Sequence, residues 1–418
     1  MFKKSFTIVI IQIIGALLGF LTLYLVASDM EPEVYSLVGV YNVVSSIMLT
    51  FSDLGIETTM MREALYWIEN GEGQKVKEYT TEALISRFIG FAFLLPFIIG
   101  YLYYINKTKY HNAYGWLMVI FIIGSIITSL NDAMSLVVRS QGGYVFSQAA
   151  KTVNNYMFKF CGIILYFLKG ANWYLVFCSF SSIPLLFIFF LKLRKKLIFS
   201  KIKINKIFKK IYAARYLWLK TNLDFFKTNV DGILVSALFP SSIMGSYTIF
   251  RSLDGMLRLF IDGFFDVLSQ NLVRYKGNIE ELLRQEKIIK LARNLIMVCL
   301  TIGTFTFTLM PEIFINILGM NNYPYISQMI TCVGIVGIVY LTGKYEVNML
   351  ALFAGSKINF VMGIYIFGIS VISYLGLFIS TSVYVVLCQK VIVYLFTSII
   401  SIFVFNKNKI DYYSNIYR

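Results

Sequence analysis

Charge is scarce in this chain. Only 14% of its 418 residues are Asp, Glu, Lys or Arg, against 58% hydrophobic, where a soluble domain carries about 25% charged residues. A soluble globular fold of this length is therefore excluded. Histidine is nearly absent, with His111 alone, and the five cysteines (Cys161, Cys178, Cys299, Cys332, Cys388) form no CxxC and lie inside apolar runs. A zinc, haem or iron–sulfur centre has no ligand set here, and neither a metal nor a cofactor is expected. No GxxxxGK[ST] loop occurs, so an ATP-driven pump is not encoded. No nucleophile–base set stands out either, and no enzymatic activity is expected. Loops long enough to hold a soluble domain are missing as well.

What fills the chain instead is a series of apolar runs near the length that crosses a bilayer. Twelve spans are predicted, over 6–27, 34–55, 82–105, 112–138, 144–168, 172–191, 217–240, 243–272, 291–318, 325–353, 357–380 and 382–405. The fold class is thus an all-α polytopic membrane protein. A β-barrel would show ten-residue alternating segments instead. The first apolar run, Phe6 to Ala27, is long for a signal peptide and reads as a retained spanning helix.

Basic residues set the orientation. With the N-terminus inside, twenty-seven Lys and Arg fall in inner segments and three in outer loops. This positive-inside bias puts both termini in the cytoplasm. It also accounts for the net charge of +16 without nucleic acid. Eleven of those cations lie in 192–220, where Phe199, Ile202, Phe208, Ile211 and Tyr212 recur at roughly helical spacing. That pattern predicts an amphipathic helix on the anionic inner leaflet.

The chain also reads as two copies of one plan. Pro32 and Pro240 are 208 apart, FSDLGIE at 51–57 and FIDGFFD at 260–266 are 209 apart, and Arg62 and Arg274 are 212 apart. Two pseudo-symmetric six-helix lobes follow, 1–191 and 217–418, joined by a basic connector over 192–216. Parallel repeats of this kind are a transporter plan.

Spans seven and eight break the apolar rule. They carry Asp224, Lys227, Asp231, Arg251, Asp254, Arg258, Asp262 and Asp266. A charge at the centre of a lipid-facing helix costs about 2.5–3.5 kcal/mol on the lenient insertion scale. These side chains must therefore face a polar interior or one another. Lys159, Lys227, Arg251 and Arg258 lie at a depth where they could hold a phosphate, to which the Arg fork is suited. The competing reading is that Lys227 pairs with Asp224 or Asp231, and Arg258 with Asp254 or Asp262. Arg62, Arg87, Arg139 and Lys344 lie nearer the inner surface. They form either an access funnel for a charged headgroup or ordinary inner anchors. Asp53, Asp132 and Glu346 are candidates for coupling to a proton or sodium gradient, with Asn131 as an added oxygen donor. Pro96, Pro184 and Pro311 are expected to bend their helices.

At this point the residues support a resemblance. ASDMEPEVYSLVGVYNVVSSIMLTFSDLGIETTMMRE (27–63) resembles the first hairpin of Wzx-type polysaccharide flippases, in the multidrug/oligosaccharidyl-lipid/polysaccharide exporter (MOP) superfamily. DGILVSALFPSSIMGSYTIF (231–250) is similar to the start of their second half. Asp29, and Tyr35 with Ser36, depart from that pattern, where Arg and Tyr-Gly are usual. The resemblance implies a flippase in the bacterial inner membrane. It would carry an undecaprenyl-diphosphate-linked oligosaccharide to the outer leaflet by alternating access, coupled to H+ or Na+. It would work beside polymerase and chain-length machinery. On this reading Lys159, Lys227, Arg251 and Arg258 meet the diphosphate. The alternatives are a drug or cation exporter of the same superfamily and, further off, a membrane polysaccharide polymerase.

Overall fold

The computed structural model describes residues 2–141, 143–194, 204–272, 279–353 and 356–414. Among them, every regular element is helical. The order is α1 (Phe2–Ala27), α2 (Pro32–Phe51), α3 (Ile56–Glu69), α4 (Gly73–Lys109), α5 (Gly115–Ser140), α6 (Tyr144–Thr152), a π-helical turn (Val153–Phe158), α7 (Lys159–Lys169), α8 (Ala171–Phe180) and α9 (Ile183–Leu193). It continues with α10 (Ile204–Thr228), α11 (Val230–Leu238), α12 (Ser241–Leu272), α13 (Ile279–Leu309), α14 (Pro311–Leu318), α15 (Ile326–Phe353), α16 (Ser356–Ile379) and α17 (Val383–Ser414). Away from their ends, helices pair their backbone N–H and C=O groups within the segment, which hydrocarbon demands.

Among the described residues, nine segments are long and apolar enough to cross a membrane. They are nine of the twelve predicted spans. The three that fall short are the fifth (α6, π turn, α7), the seventh (α10–α11) and the eighth (α12). The fifth and seventh are interrupted, and the seventh and eighth carry the run of charges that opened the question of a polar interior. By contrast α13 carries a long exposed stripe: Leu291, Leu295, Val298, Ile302, Phe305 and Leu309 recur at three- and four-residue steps and are exposed, while Ile289 on the same helix is buried in the core. A stripe of that kind faces lipid, not a core.

The chain divides into two compact units, Met1–Phe225 with Gly232–Gly245, and Phe226–Asp231 with Ser246–Arg418. The boundary differs from the predicted one. Described from Ile204, the connector runs straight into span seven as one helix, α10. Its Ile207 is buried with Ile56 and Ala83, and Lys210 pairs with Glu82 over the Tyr79 ring. The predicted apolar face divides accordingly: Ile211 packs against that cluster, while Phe208 and Tyr212 are exposed. Phe199 and Ile202 lie outside the described residues. The segment 232–245 belongs with the first unit because Tyr101 and Ser236 hydroxyls meet at 2.5 Å. Gly245 also lies flush on the Pro32 backbone, where a Cβ would collide.

In the first unit, the core gathers Leu37, Val40, Val44 and Met48 of α2 with Phe91, Ile98 and Leu102 of α4 and Leu117 and Phe121 of α5. In the second, Ile261 and Phe265 of α12 pack with Leu341, Tyr345 and Met349 of α15 and Phe405 of α17. Of the three prolines expected to bend helices, only Pro96 lies inside one. Pro184 and Pro311 sit in the first turns of α9 and α14, where a missing N–H loses nothing.

Candidate functional site

The densest polar cluster of the second unit forms around a break. Helix α10 stops at Thr228 and α11 starts at Val230, leaving Asn229 between them. The Thr228 carbonyl accepts from Arg251 Nη2 at 3.2 Å and Lys390 Nζ at 3.3 Å. Asn229 Oδ1 accepts from Arg251 Nη2 at 2.5 Å. Asp231, in the first turn of α11, is fully buried and bonded through Oδ2 to both Lys390 Nζ and Tyr247 Oη. Its other oxygen faces Arg251 at 3.9 Å. A carboxylate at a helix N-terminus is also favoured by the helix dipole.

Two tyrosines carry the cluster onward. Tyr340 of α15 and Tyr394 of α17 meet edge to face at 5.7 Å. Four cations lie over these two rings: Lys227, Arg258 and Lys390 around Tyr394, and Arg258 and Lys344 around Tyr340. Arg258 also bonds Tyr394 Oη and forks onto Asp254, with Nε at 2.9 Å from Oδ1. Lys344 pairs with Asp262 at 2.6 Å, and Tyr340 donates to the same carboxylate oxygen at 2.6 Å. Among the described residues the cluster holds five cations (Lys227, Arg251, Arg258, Lys344, Lys390) and three carboxylates (Asp231, Asp254, Asp262). Its partly accessible members include Asp262, at 38% of the side chain, Arg251, at 25%, Arg258, at 18%, and half-buried Lys227.

The predicted site residues thus divide. Lys227, Arg251, Arg258, Lys344, Asp231, Asp254 and Asp262 come together. Asp224 is exposed on α10 and falls in the first unit. Arg258 takes the pairing with Asp254 that i,i+4 spacing allowed, while Asp262 goes to Lys344. Glu346 makes its own pair with Arg293 at 3.3 Å. The side chain of Asp266 lies outside the described residues.

Lys159 belongs to the first unit. It follows directly on the π-helical turn, half-buried, and no carboxylate lies within ion-pairing distance among the described residues. Beside it, Asn154 is buried with its amide on Ser182 Oγ at 2.9 Å. Lys151 pairs with Asp132. Asp53 is buried at the end of α2, where its Oδ1 accepts from the Gly55 amide at 3.0 Å.

Arg87 is a correction to the access-funnel reading. It is 1% exposed and forks onto Glu57, with Nη2 at 2.6 Å from Oε2. Its Nη1 donates to Leu49 O, Ser52 Oγ and Ser129 Oγ at 2.6, 2.8 and 3.0 Å. All three of its nitrogens are engaged and the side chain is sealed from solvent, so it offers no surface to a headgroup. A long arginine near an inner helix end looks the same in sequence whether it snorkels outward or folds inward. Arg139 is half-buried near the end of α5 and has a polar partner. Arg62 lies on α3, its side chain outside the described residues.

Sequence reasoning left out Lys390, Tyr247, Tyr340, Tyr394 and Glu57. A signal for three of them existed: Tyr340 precedes Lys344 by one turn, and Lys390 precedes Tyr394 by one turn. Paired Tyr and Lys on one face of two apolar helices mark a common polar seam.

The fold and this seam define a polytopic helical membrane protein with charged side chains gathered inside it. Solved structures supply a likeness. A multidrug resistance MATE family transporter of the MOP superfamily, in its inward-facing conformation, superposes with a TM-score of 0.68 at 14% identity, over 97% of this chain and 99% of that one. MATE in the straight conformation gives 0.60 at 15% identity, over 99% and 97%. An outward-facing multidrug resistance MATE structure gives 0.57 at 14%, over 98% and 96%. The chain therefore has a MATE-like transporter fold of two lobes. No family model and no curated protein matches the sequence.

Proposed function

We propose that this protein is a membrane exporter working by alternating access and driven by an ion gradient, and that its cargo carries negative charge. The whole-length likeness to multidrug transporters supports the first part. That likeness backs a small-molecule exporter more directly than a polysaccharide flippase.

The second part rests on one observation: among the described residues, the polar seam of the second unit brings five cations together with three carboxylates, and Arg251 and Arg258 are accessible. A seam with surplus positive charge in a membrane interior attracts an anion and repels a cation. Cationic drugs are therefore a poor fit, although the fold is shared with drug transporters.

A second reading follows from the same charge. A lipid-linked oligosaccharide bears a diphosphate, which guanidinium groups bind in forked geometry. It is then moved to the outer leaflet of a bacterial cytoplasmic membrane, with both termini of the chain inside, as the distribution of basic residues supports.

The test is a clean deletion with two readouts. Sensitivity to anionic antimicrobials that rises while lipid-linked pools stay constant supports small-molecule export. Lipid-linked repeat units that accumulate on the cytoplasmic side, with surface polymer lost, support the second reading. Neither change contradicts the proposal.

A further inference from the structure

Helix α10 carries two apolar stripes. One is used in packing: Ile207, Ile211, Ala214 and Trp218 recur at helical spacing and turn to the first unit. Ile207 is buried with Ile56, and a Cβ on Gly55 would meet Ala214 O at 2.8 Å and Trp218 Cβ at 3.3 Å. The other stripe is Phe208, Tyr212, Tyr216 and Leu219, all exposed. Arg215 lies among them. Its guanidinium sits 4.0 Å from the centre of the Tyr212 ring and 4.6 Å from that of Tyr216, and Nη1 donates to the Tyr212 carbonyl at 2.8 Å. Among the described residues, no carboxylate lies within ion-pairing distance of Arg215. Lys206, Lys209 and Lys220 follow one edge of the exposed stripe.

The level of this stripe follows from the chain. About twenty residues cross the hydrocarbon, and counted back from Phe239, just past the end of α11, they reach Lys220. Helix α10 runs through that point without interruption. Tyr216 and Tyr212 therefore stand one and two turns beyond the hydrocarbon edge, at headgroup level, with Lys209 and Lys206 further out. We propose that this stripe seats an anionic phospholipid, with the headgroup phosphate on Arg215. The two rings hold the guanidinium in place, and its remaining N–H groups fork onto phosphate oxygens. Tyrosine settles at this level of a membrane, Leu219 meets the acyl chains, and the lysine edge adds attraction to an anionic surface. The distribution of basic residues makes that surface the inner leaflet. A protein partner fits less well, because headgroups already fill the level at which Arg215 lies.

The test reads lipid binding, so the cargo assignment can fail without affecting it. The purified full chain is titrated with phosphatidylglycerol and, separately, with phosphatidylcholine, and retained lipid is counted by native mass spectrometry. The wild type is expected to bind phosphatidylglycerol about tenfold more tightly. Arg215→Gln should lower that affinity about fivefold, the effect of one cation near an anionic surface. Adding Lys206→Gln and Lys209→Gln should bring it down to that of phosphatidylcholine. Those two exposed lysines, replaced together, carry the test if Arg215→Gln is not recovered folded. Arg284→Gln removes an exposed cation of α13 that pairs with Glu281 at 3.8 Å, and should leave the affinity unchanged. Equal affinity of the wild type for the two lipids overturns the proposal. So does an equal loss in Arg215→Gln and Arg284→Gln, which would mean that net charge alone is sensed. Unchanged phosphatidylglycerol retention in the α10 variants, with transport lost in vesicles of either lipid, would assign the stripe to cargo or to a protein partner and overturn it as well.

Discussion

Two buried charge clusters, one in each unit, make opposite use of the same chemistry. Around Arg87, one buried guanidinium meets the Glu57 carboxylate in a fork, with a main-chain carbonyl and two serine hydroxyls on its third nitrogen, and none of it is accessible. Around Tyr394, cations outnumber carboxylates, two of the arginines reach solvent, and the aromatic rings serve as a shared platform. A saturated cluster can only hold helices together. A cluster with surplus charge and an accessible edge can accept something else. Burial alone does not separate structure from function here. The balance of charge within each cluster does.

The largest expected effect lies in the saturated cluster. Arg87→Leu leaves Glu57 buried without its partner and is expected to cost about 3–5 kcal/mol, read as a lower unfolding temperature and loss of folded yield. The double replacement Arg87→Leu with Glu57→Leu recovers much of that loss. If Arg87→Leu instead abolished transport at unchanged stability, the contrast between the two clusters would break.

Next comes the open cluster. Arg258→Gln removes a charge-assisted contact to an anionic cargo, about 1.5–3 kcal/mol. Apparent affinity in a transport assay should fall roughly ten- to hundredfold, with a smaller drop in unfolding temperature than for Arg87→Leu. Gly90→Ala tests how tightly the saturated cluster is framed. Its Cβ would lie 2.6 Å from the Ser52 carbonyl oxygen, on backbone that also ends at the Arg87 site. About 1–3 kcal/mol of stability should be lost in thermal unfolding, with cargo affinity unchanged in the folded fraction. The smallest effect is expected at Lys151→Gln. Its pair with Asp132 leaves the lysine side chain 33% exposed, so no more than about 1 kcal/mol is at stake in the same measurement.

Much of this was readable from the sequence. The all-helical membrane class, most of the spans, and the charged seventh and eighth spans follow from hydropathy and the price of charge in lipid. So does the gathering of Lys227, Arg251, Arg258, Asp231, Asp254 and Asp262 into one cluster, since helical spacing puts them on shared faces. Lys390 was readable as half of a Tyr–Lys pair on its own helix, but not as the partner of Asp231. It lies 159 residues from Asp231, and no local pattern records a contact made by tertiary folding. Arg87 failed for a different reason, because direction from a helix end is set by neighbours such as Glu57 and Ser129. The break at Asn229 escaped as well: Thr228, Asn229, Val230, Asp231 and Gly232 are all weak helix formers, but they lie inside an apolar run of spanning length that reads as one helix, and the two cations on the Thr228 carbonyl come from other helices. The π-helical turn before Lys159 has no sequence mark of its own.

The most direct test of the account is cargo charge. Wild-type protein and Arg258→Gln in proteoliposomes would be given matched fluorescent amphiphiles, one anionic and one cationic, under an imposed ion gradient. The account predicts gradient-driven movement of the anion by the wild type, strongly reduced in Arg258→Gln, with the cation left behind. Movement of the cation alone, unaffected by Arg258→Gln, would contradict it.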